Sequence, residues 1–390
     1  MSSPIALIVG AGIGGLAAAV ALRRAGWQVR IFERAASPRE LGFALNLAPN
    51  AMAALRELGL DQPLIGEGHI VREAEIRTLA GRTLRRIHVS PASNEAADAR
   101  SVIALRPVLH GALLNAIEPS ALGLGSEVIG FEANQRGVAI RIKGGRAAYG
   151  DILIGADGVA SAVRRQLHPH EPPPRSSGYY AVRGVAHQAA RHLGALSAAL
   201  YLGKGMEAAA ARASLSAVYW YMSLLSRDLP GEIFDPVARA NRLAARLDAC
   251  YQAIVQNTKA EDIRFDELLD RDPIENWGAG PVTLLGDAAH PMLPHAGQGA
   301  AQALEDAVAL GLTLKHRRED FAAALRRYER VRSARTGRIV KLARRLARMT
   351  TTKSALKTAL RTAAVRFLPE QALLMAFFLA RHDDPQRDLR

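Results

Sequence analysis

Ile5–Val9 is an apolar, β-branched run that leads at once into Gly10-Ala11-Gly12-Ile13-Gly14-Gly15. Leu16, Ala19, Val20 and Leu22 then recur at helical spacing up to Gly26, and Trp27–Phe32 returns to an extended pattern that ends at Glu33. Late in the chain the same alternation of strand, loop and helix recurs. Val282–Leu285 is a short apolar run, and Gly286-Asp287 opens a loop containing Pro291, Pro294, Gly297 and Gly299. From about Ala300, the positions Ala303, Leu304, Ala307 and Leu310 repeat with helical period. Between these ends the pattern predicts a helix over Ala51–Leu58 closed by Gly59, and a hairpin within Ile70–Val89 turning at Gly81. A small, polar loop spans Pro91 to Arg100, and a helix begins at Arg106 with Leu109, Leu113 and Leu114 inward. Strands follow at Val128–Phe131, Val138–Ile142 and Ile152–Ile154, the last running into Gly155-Ala156-Asp157-Gly158. Pro169–Pro174 is the clearest linker. Beyond it, Tyr180–Ala186, Ala199–Leu202 and Val218–Leu225 read as strands and Arg239–Gln256 as one helix. After Leu310 the chain is helical, in segments Ala322–Arg338, Ile339–Met349 and Ala355–Phe367, and ends in the very apolar Gln371–Ala380.

Two of these stretches carry chemistry. Strand, G-x-G-x-x-G, helix, strand and acid in that order form a dinucleotide-binding fingerprint. Gly10 makes the tight turn, Gly12 lets the backbone approach a pyrophosphate, and Gly15 lets the helix pack on the strand. Glu33 can accept hydrogen bonds from ribose hydroxyls. In the late stretch Asp287 sits at a strand end and the loop delivers the free N–H groups of a helix start, an arrangement suited to an anion. Asp157 is a third carboxylate at a strand end, although Asp-Gly is also ordinary turn chemistry. Arg106, at the start of its helix, either is solvated or contacts a phosphate or ribityl group.

With 390 residues the chain has room for two or three cored domains. Its net charge of +14 comes from 51 basic and 37 acidic residues, and only seven of the basic ones are lysine. No RNA-binding or zinc-finger pattern accompanies the charge, so nucleic acid is not expected as a partner. The single cysteine, Cys250, excludes an intramolecular disulfide and a cysteine metal cluster, in keeping with a cytoplasmic setting and no bound metal. No apolar run is long enough to span a bilayer. Gln371–Ala380 suits a buried terminal helix, with dimer contact or membrane-surface contact as alternatives.

GAGIGG with Glu33, IGADGVASAVR, and GPVTLLGDAAHPMLPHAGQGAAQALEDA together resemble the single-component FAD-dependent aromatic hydroxylases of the para-hydroxybenzoate and salicylate hydroxylase type. The motifs extend over about three hundred residues. The resemblance implies an α/β fold: a doubly wound, Rossmann-like FAD-binding domain, an inserted mixed β-sheet substrate domain, and C-terminal helices. Residues 1–72, 101–175 and 279–335 would form the FAD domain, 73–100 and 176–278 the substrate domain, and 336–390 the helical region.

By resemblance, Gly10, Gly12 and Gly15 lie under the FAD pyrophosphate, Glu33 holds the adenosine ribose, and Arg106 reaches the FAD. Asp157 belongs to a motif associated with FAD and NAD(P)H, Asp287 binds the ribityl chain, and Pro294 lies beside the flavin's reactive face. The backbone of Gly297, Gly299 and Ala300 meets the pyrimidine edge. The implied function is monooxygenation of an aromatic or polycyclic small molecule. NADPH or NADH serves as reductant and O2 as co-substrate, and oxygen transfer proceeds through a flavin C4a-hydroperoxide. Epoxidation, Baeyer–Villiger insertion and dehydrogenation are the enzymatic alternatives, and a non-catalytic, membrane-associated FAD module is a further one. The implied assembly is a monomer or homodimer.

Two departures stand out. Gly42-Phe43-Ala44-Leu45 has Ala44 where many relatives have glycine, and Gly203–Ala213 has no histidine or tyrosine to act as a phenol base. Tyr219 and Tyr221 share a strand face and either line a pocket or pack internally. Arg183 either meets an anionic substrate or is solvated, and His290 and His295 are expected to be structural.

Overall fold

The chain's continuous apolar runs become strands buried on both faces, as a parallel sheet requires. Val282–Leu284, Ile152–Gly155, Ile5–Val9, Gln28–Phe32 and Leu122–Gly123 lie side by side in that order, all parallel. The late strand is therefore an edge neighbour of Ile152–Gly155, and all three motifs end at the same carboxyl edge of one sheet. In open α/β sheets that edge is where ligands bind. The structure is a computed structural model, and it describes residues 3–37, 43–89, 100–134, 136–229, 231, 235–315 and 320–369. Gly42, most of the expected loop at 91–100 and the segment 371–380 lie outside the described residues.

Small side chains hold this layer together. The helix Ile13–Arg24 packs directly against the helix Gly299–Thr313. A Cβ on Gly14 would come within 2.7 Å of Leu285 Cδ2, and one on Gly311 within 2.9 Å of Ala21 Cβ. Gly299–Thr313 is buried almost throughout, which explains its alanine-rich, nearly all-apolar surface.

A seven-stranded mixed sheet forms the second layer, in the order Ile263–Asp270, Arg175–Ala186, Val218–Leu225, Met206–Arg212, Ala198–Gly203, Glu73–Thr78 and Thr83–His88. Its neighbours pair antiparallel except Ala198–Gly203 with Glu73–Thr78. Side chains alternate between faces. Val182, Tyr201, Ala208, Trp220 and Met222 pack against the helices Pro236–Ala244 and Ala249–Gln256. The opposite face bears Arg183, Tyr219, Tyr221 and Ser223. A small sheet of Ala44–Leu47, Val102–Leu105 and His69–Ile70 contributes Ala44 and Ile103 to a cluster with Ala211 and Tyr219, joining the two layers.

Two expected elements differ. The single helix over Arg239–Gln256 is two, because Asp248 caps the second by accepting from Tyr251 N at 2.8 Å and also receives the Tyr201 hydroxyl at 3.2 Å. Those partners outweigh helical continuity at a residue that favours caps. Conversely, Ala322–Arg338 and Ile339–Met349 are parts of one 30-residue helix, Phe321–Thr350, that runs straight through Gly337. Packing of Tyr328, Ile339, Ala343 and Ala347 along one side overrides the local cost of glycine. Among the described residues no helix is long and apolar enough to cross a membrane.

Candidate active site

The glycine loop is shaped by contacts that only glycine permits at two positions. Gly10 has φ +102°, and a Cβ there would fall 2.4 Å from Ala156 O. A Cβ on Gly15 would fall 2.0 Å from Gly10 O. Gly12 differs, since nothing in the chain lies within 4 Å of where its Cβ would be. Packing accounts for Gly10 and Gly15, while at Gly12 the backbone is open to solvent and to a ligand. Glu33 fixes the loop from below, with one carboxylate oxygen accepting from Ala11 N and the other from Ala35 N, both at 2.9 Å. His110, one helical turn after Arg106, meets Ala11 O through Nε2 at 2.9 Å, a contact with no local sequence signal. Gly15→Ala is expected to reduce FAD content of the purified protein severalfold and to lower its unfolding midpoint. Only backbone movement at Gly10 can relieve the clash, so normal FAD occupancy in this variant would contradict the geometry.

The late loop is held from three sides. Arg164, fully buried, donates to Ala288 O at 3.0 Å and Ala289 O at 2.7 Å while gripping Glu171 at 2.8 and 2.6 Å. Asp306 accepts Gly286 N at 3.0 Å and pairs with His290 Nε2 at 2.6 Å. Arg332 from the long helix bonds Asp306 and Glu305, each at 2.6 Å, and Arg335 reaches Glu305 at 2.8 Å. Burial alone would raise the Asp306 carboxyl, but His290 and Arg332 outweigh it and hold the pKa down at about 2. Buried Gln298 and Gln302 join the same network with Asn50. His290 thus belongs to the buried network that holds the loop.

This scaffold leaves Asp287 facing the cleft. Its side chain is exposed to the cleft's solvent while protein surrounds it on its other sides, and no hydrogen bond to it exists among the described residues. That surrounding protein raises its carboxyl pKa against the opposing pull of His290 and Arg106. The Arg106 side chain, half-buried, likewise has no hydrogen-bond partner among the described residues. Burial lowers its pKa, with Asp287 acting in the opposite sense. Pro294 is exposed to the cleft, Gly297 takes the left-handed φ of +61°, and Gly299 and Ala300 open the buried helix. Asp157, by contrast, is engaged within the chain, accepting Ser161 Oγ at 2.5 Å and Ala162 N at 2.7 Å at the start of the helix Ala162–Leu167. Burial raises its carboxyl pKa against these bonds.

The sheet face opposite the loop brings together residues scattered in sequence. Arg183 is partly exposed but not free, because Asp266 takes its Nε at 2.8 Å and a terminal nitrogen at 2.7 Å, and its guanidinium lies 4.8 Å from the Phe43 ring centroid. It also contacts the Tyr219 hydroxyl. Tyr221 donates at 2.5 Å to Glu207, a buried carboxylate, and burial together with Glu207 holds the phenol well above its ordinary pKa. Ser223 meets His295 Nε2 at 2.9 Å, and Tyr179 packs edge-on against that imidazole at 5.6 Å. Burial lowers the His295 pKa, with Glu207 opposing. The strand Met206–Arg212 lacks a histidine, but the loop after Asp287 places His295 against the neighbouring strand. Leu293 and Ala296 flank it against Tyr179 and Ala181.

The residues fit FAD. A glycine loop open at Gly12, a carboxylate without a donor facing an arginine without an acceptor, and the free N–H groups of a buried helix that packs on the glycine-loop helix lie together at the carboxyl edge of the parallel sheet. Together they match a ligand that combines pyrophosphate, polyol and a reducible ring. Fold and site define a FAD-dependent oxidoreductase. A family model described as FAD binding domain matches residues 4–343, and the chain belongs to that family. Aurachin C monooxygenase/isomerase of Stigmatella aurantiaca is 37% identical over 336 residues, covering 86% of this chain and 86% of the relative. 3-Hydroxybenzoate 6-hydroxylase 1 of Aquipseudomonas alcaligenes is 32% identical over 355 residues, covering 85% and 86%. Klebsiella pneumoniae HpxO, solved with FAD and uric acid, superposes with a TM-score of 0.88 at 27% identity, covering 97% of both chains. The protein is a FAD-dependent monooxygenase.

Proposed function

We propose that this monooxygenase transfers oxygen to a neutral aromatic or polycyclic molecule bound between the Asp287–Ala300 loop and the face of the seven-stranded sheet bearing Tyr219 and Tyr221. The observation that carries the reading is the neutralisation of Arg183. A carboxylate substrate needs a cation free to form a paired, charge-assisted contact. Two of the three Arg183 nitrogens are already engaged by one oxygen of Asp266, and Arg106 faces Asp287. The remaining wall offers neutral phenols, the small side chain of Ala209 and, behind Tyr221, the buried carboxylate of Glu207, which disfavours a second anion.

Bound FAD supplies the redox chemistry, accepting hydride from NAD(P)H and activating O2. The chain's own residues do the rest. Asp287 and Arg106 orient the cofactor, and the N-terminus of Gly299–Thr313 favours negative charge at the ring. Tyr221, kept protonated by burial and Glu207, gives its proton to that carboxylate and presents its oxygen as an acceptor for a substrate hydroxyl. Packing of Leu293 and Ala296 against Tyr179 and Ala181 excludes water behind His295.

The test is anaerobic flavin reduction by NAD(P)H in the presence of matched aromatic pairs that differ only by a carboxylate. Neutral members are expected to accelerate reduction at least about tenfold more than their acids, the scale of one unpaired buried charge. Stronger stimulation by the acids would overturn the reading. The name of the hydroxybenzoate relative is a precedent for the acid class, so the experiment tests whether this chain departs from it.

A further inference from the structure

We propose that the helix Ala355–Phe367 seats the protein on an anionic lipid surface. Its two sides have opposite character. On the inner side Val365 packs with Leu84, Ile87 and Leu202, and Arg361 donates to Gly203 O at 3.1 Å and Thr350 O at 2.6 Å. These contacts fix the helix against the seven-stranded sheet. On the outer side Leu356 is 70% exposed, Leu360 61% and Phe367 76%. With Ala363, these positions fall within a stripe roughly 60° wide at helical spacing, directly opposite Val365. Lys357 lies along one margin of the stripe and Arg366 along the other, with the Arg366 guanidinium 5.5 Å from the Phe367 ring centroid.

Elsewhere on the described surface, large exposed apolar side chains occur singly, as at Ile129, Tyr149 and Leu215, which is ordinary for a folded protein. A stripe on a preformed helix with a basic margin on each side is the pattern of an interfacial helix, whose cations snorkel to headgroups while its apolar side chains enter the acyl boundary.

Charge selects the occupant. Residues 330–369 contain twelve arginines and lysines and no aspartate or glutamate. Several of these cations are satisfied inward, such as Arg332 by Asp306 and Arg344 by Asp270. Lys357 and Arg366 have no carboxylate partner among the described residues. A second copy of the chain laid on this stripe would set like charge against like. An anionic bilayer answers both the apolar strip and its basic margins, and the two attractions together give what a short stripe alone would not.

The experiment is flotation of the FAD-loaded full chain with vesicles of phosphatidylcholine containing about 30% phosphatidylglycerol, and with phosphatidylcholine alone. The wild type is expected to float with the anionic vesicles and to be released by high salt. The variant Leu356→Ser/Leu360→Ser/Phe367→Ser should bind at least about fivefold less, as should Lys357→Glu/Arg366→Glu, while both retain the wild-type flavin absorbance. The substituted side chains point away from the body of the protein, so that absorbance reports an intact fold. Equal flotation of wild type and triple variant, or equal recovery on neutral vesicles, overturns the proposal. So does a triple variant that changes only from dimer to monomer in light scattering.

Discussion

Asp287→Ala is expected to bind FAD about 10- to 100-fold more weakly than the wild type, corresponding to the loss of one charge-assisted hydrogen bond. The side chain faces the cleft and supports no other described contact, so the fold should survive its removal. Arg106 loses its nearest countercharge at the same time, which adds to the effect. Asp287→Asn keeps an acceptor oxygen without the charge and should fall between the two. Fluorescence titration of the apoprotein with FAD measures all three dissociation constants. An alanine variant with wild-type affinity would show that the carboxylate does not hold the cofactor.

Arg332→Met is expected to cost about 3–5 kcal/mol in denaturant unfolding of the apoprotein, because it leaves Glu305 and Asp306 buried beside a missing cation. Arg332→Lys should recover only part of this, since lysine lacks the fork that reaches Asp306, Glu305 and Gln302 at once. The same network predicts a pH dependence. The Asp306 pKa is lowered to about 2 from an ordinary value of 3.8, so its contribution is fully present above about pH 4. That contribution is lost as pH falls through the native value. The stability gap between wild type and Asp306→Asn should therefore be widest near pH 5 and close progressively toward pH 2. A gap that stays constant over that range would mean that the carboxylate is not held ionised by His290 and Arg332. The pairing also has a functional consequence, since Asp306 receives Gly286 N immediately before Asp287, and loosening it loosens the loop that presents Asp287.

Much of the candidate cofactor site was legible in the chain because its signals are local. The positive φ of Gly10 and the clash of a Gly15 side chain with Gly10 O arise from one turn and one helix start within six residues, although the further crowding of Gly10 against Ala156 O comes from a distant strand. The strand ends at Val9, Gly155 and Leu284 announce themselves by apolar runs that stop at glycine. The helix break at Asp248 was not legible, because Arg77 and Tyr201 from distant strands make the cap worth more than continuity. Nor was the clamp by Arg164, whose carbonyl partners lie more than a hundred residues later. An arginine on a short amphipathic helix reads as solvated until its burial is seen.

Arg183 shows the divide most clearly. Sequence placed it on the same strand pattern as other candidate pocket residues, with a formal charge that suited an anion. Asp266, on the neighbouring strand, cancels that charge through a pairing set by sheet register. His295 is parallel: chain position put it in the flavin loop, and the fold set it against Ser223, near Glu207. What the sequence by itself determined is the class of protein, its cofactor and the conformation of the glycine loops proposed to cradle it, because backbone conformation at glycines and apolar periodicity are short-range properties. Only the tertiary structure decided which charges in the cleft are free, which are neutralised and what holds the Asp287 loop in place, because ion pairing and burial depend on partners that sequence spacing does not bring together.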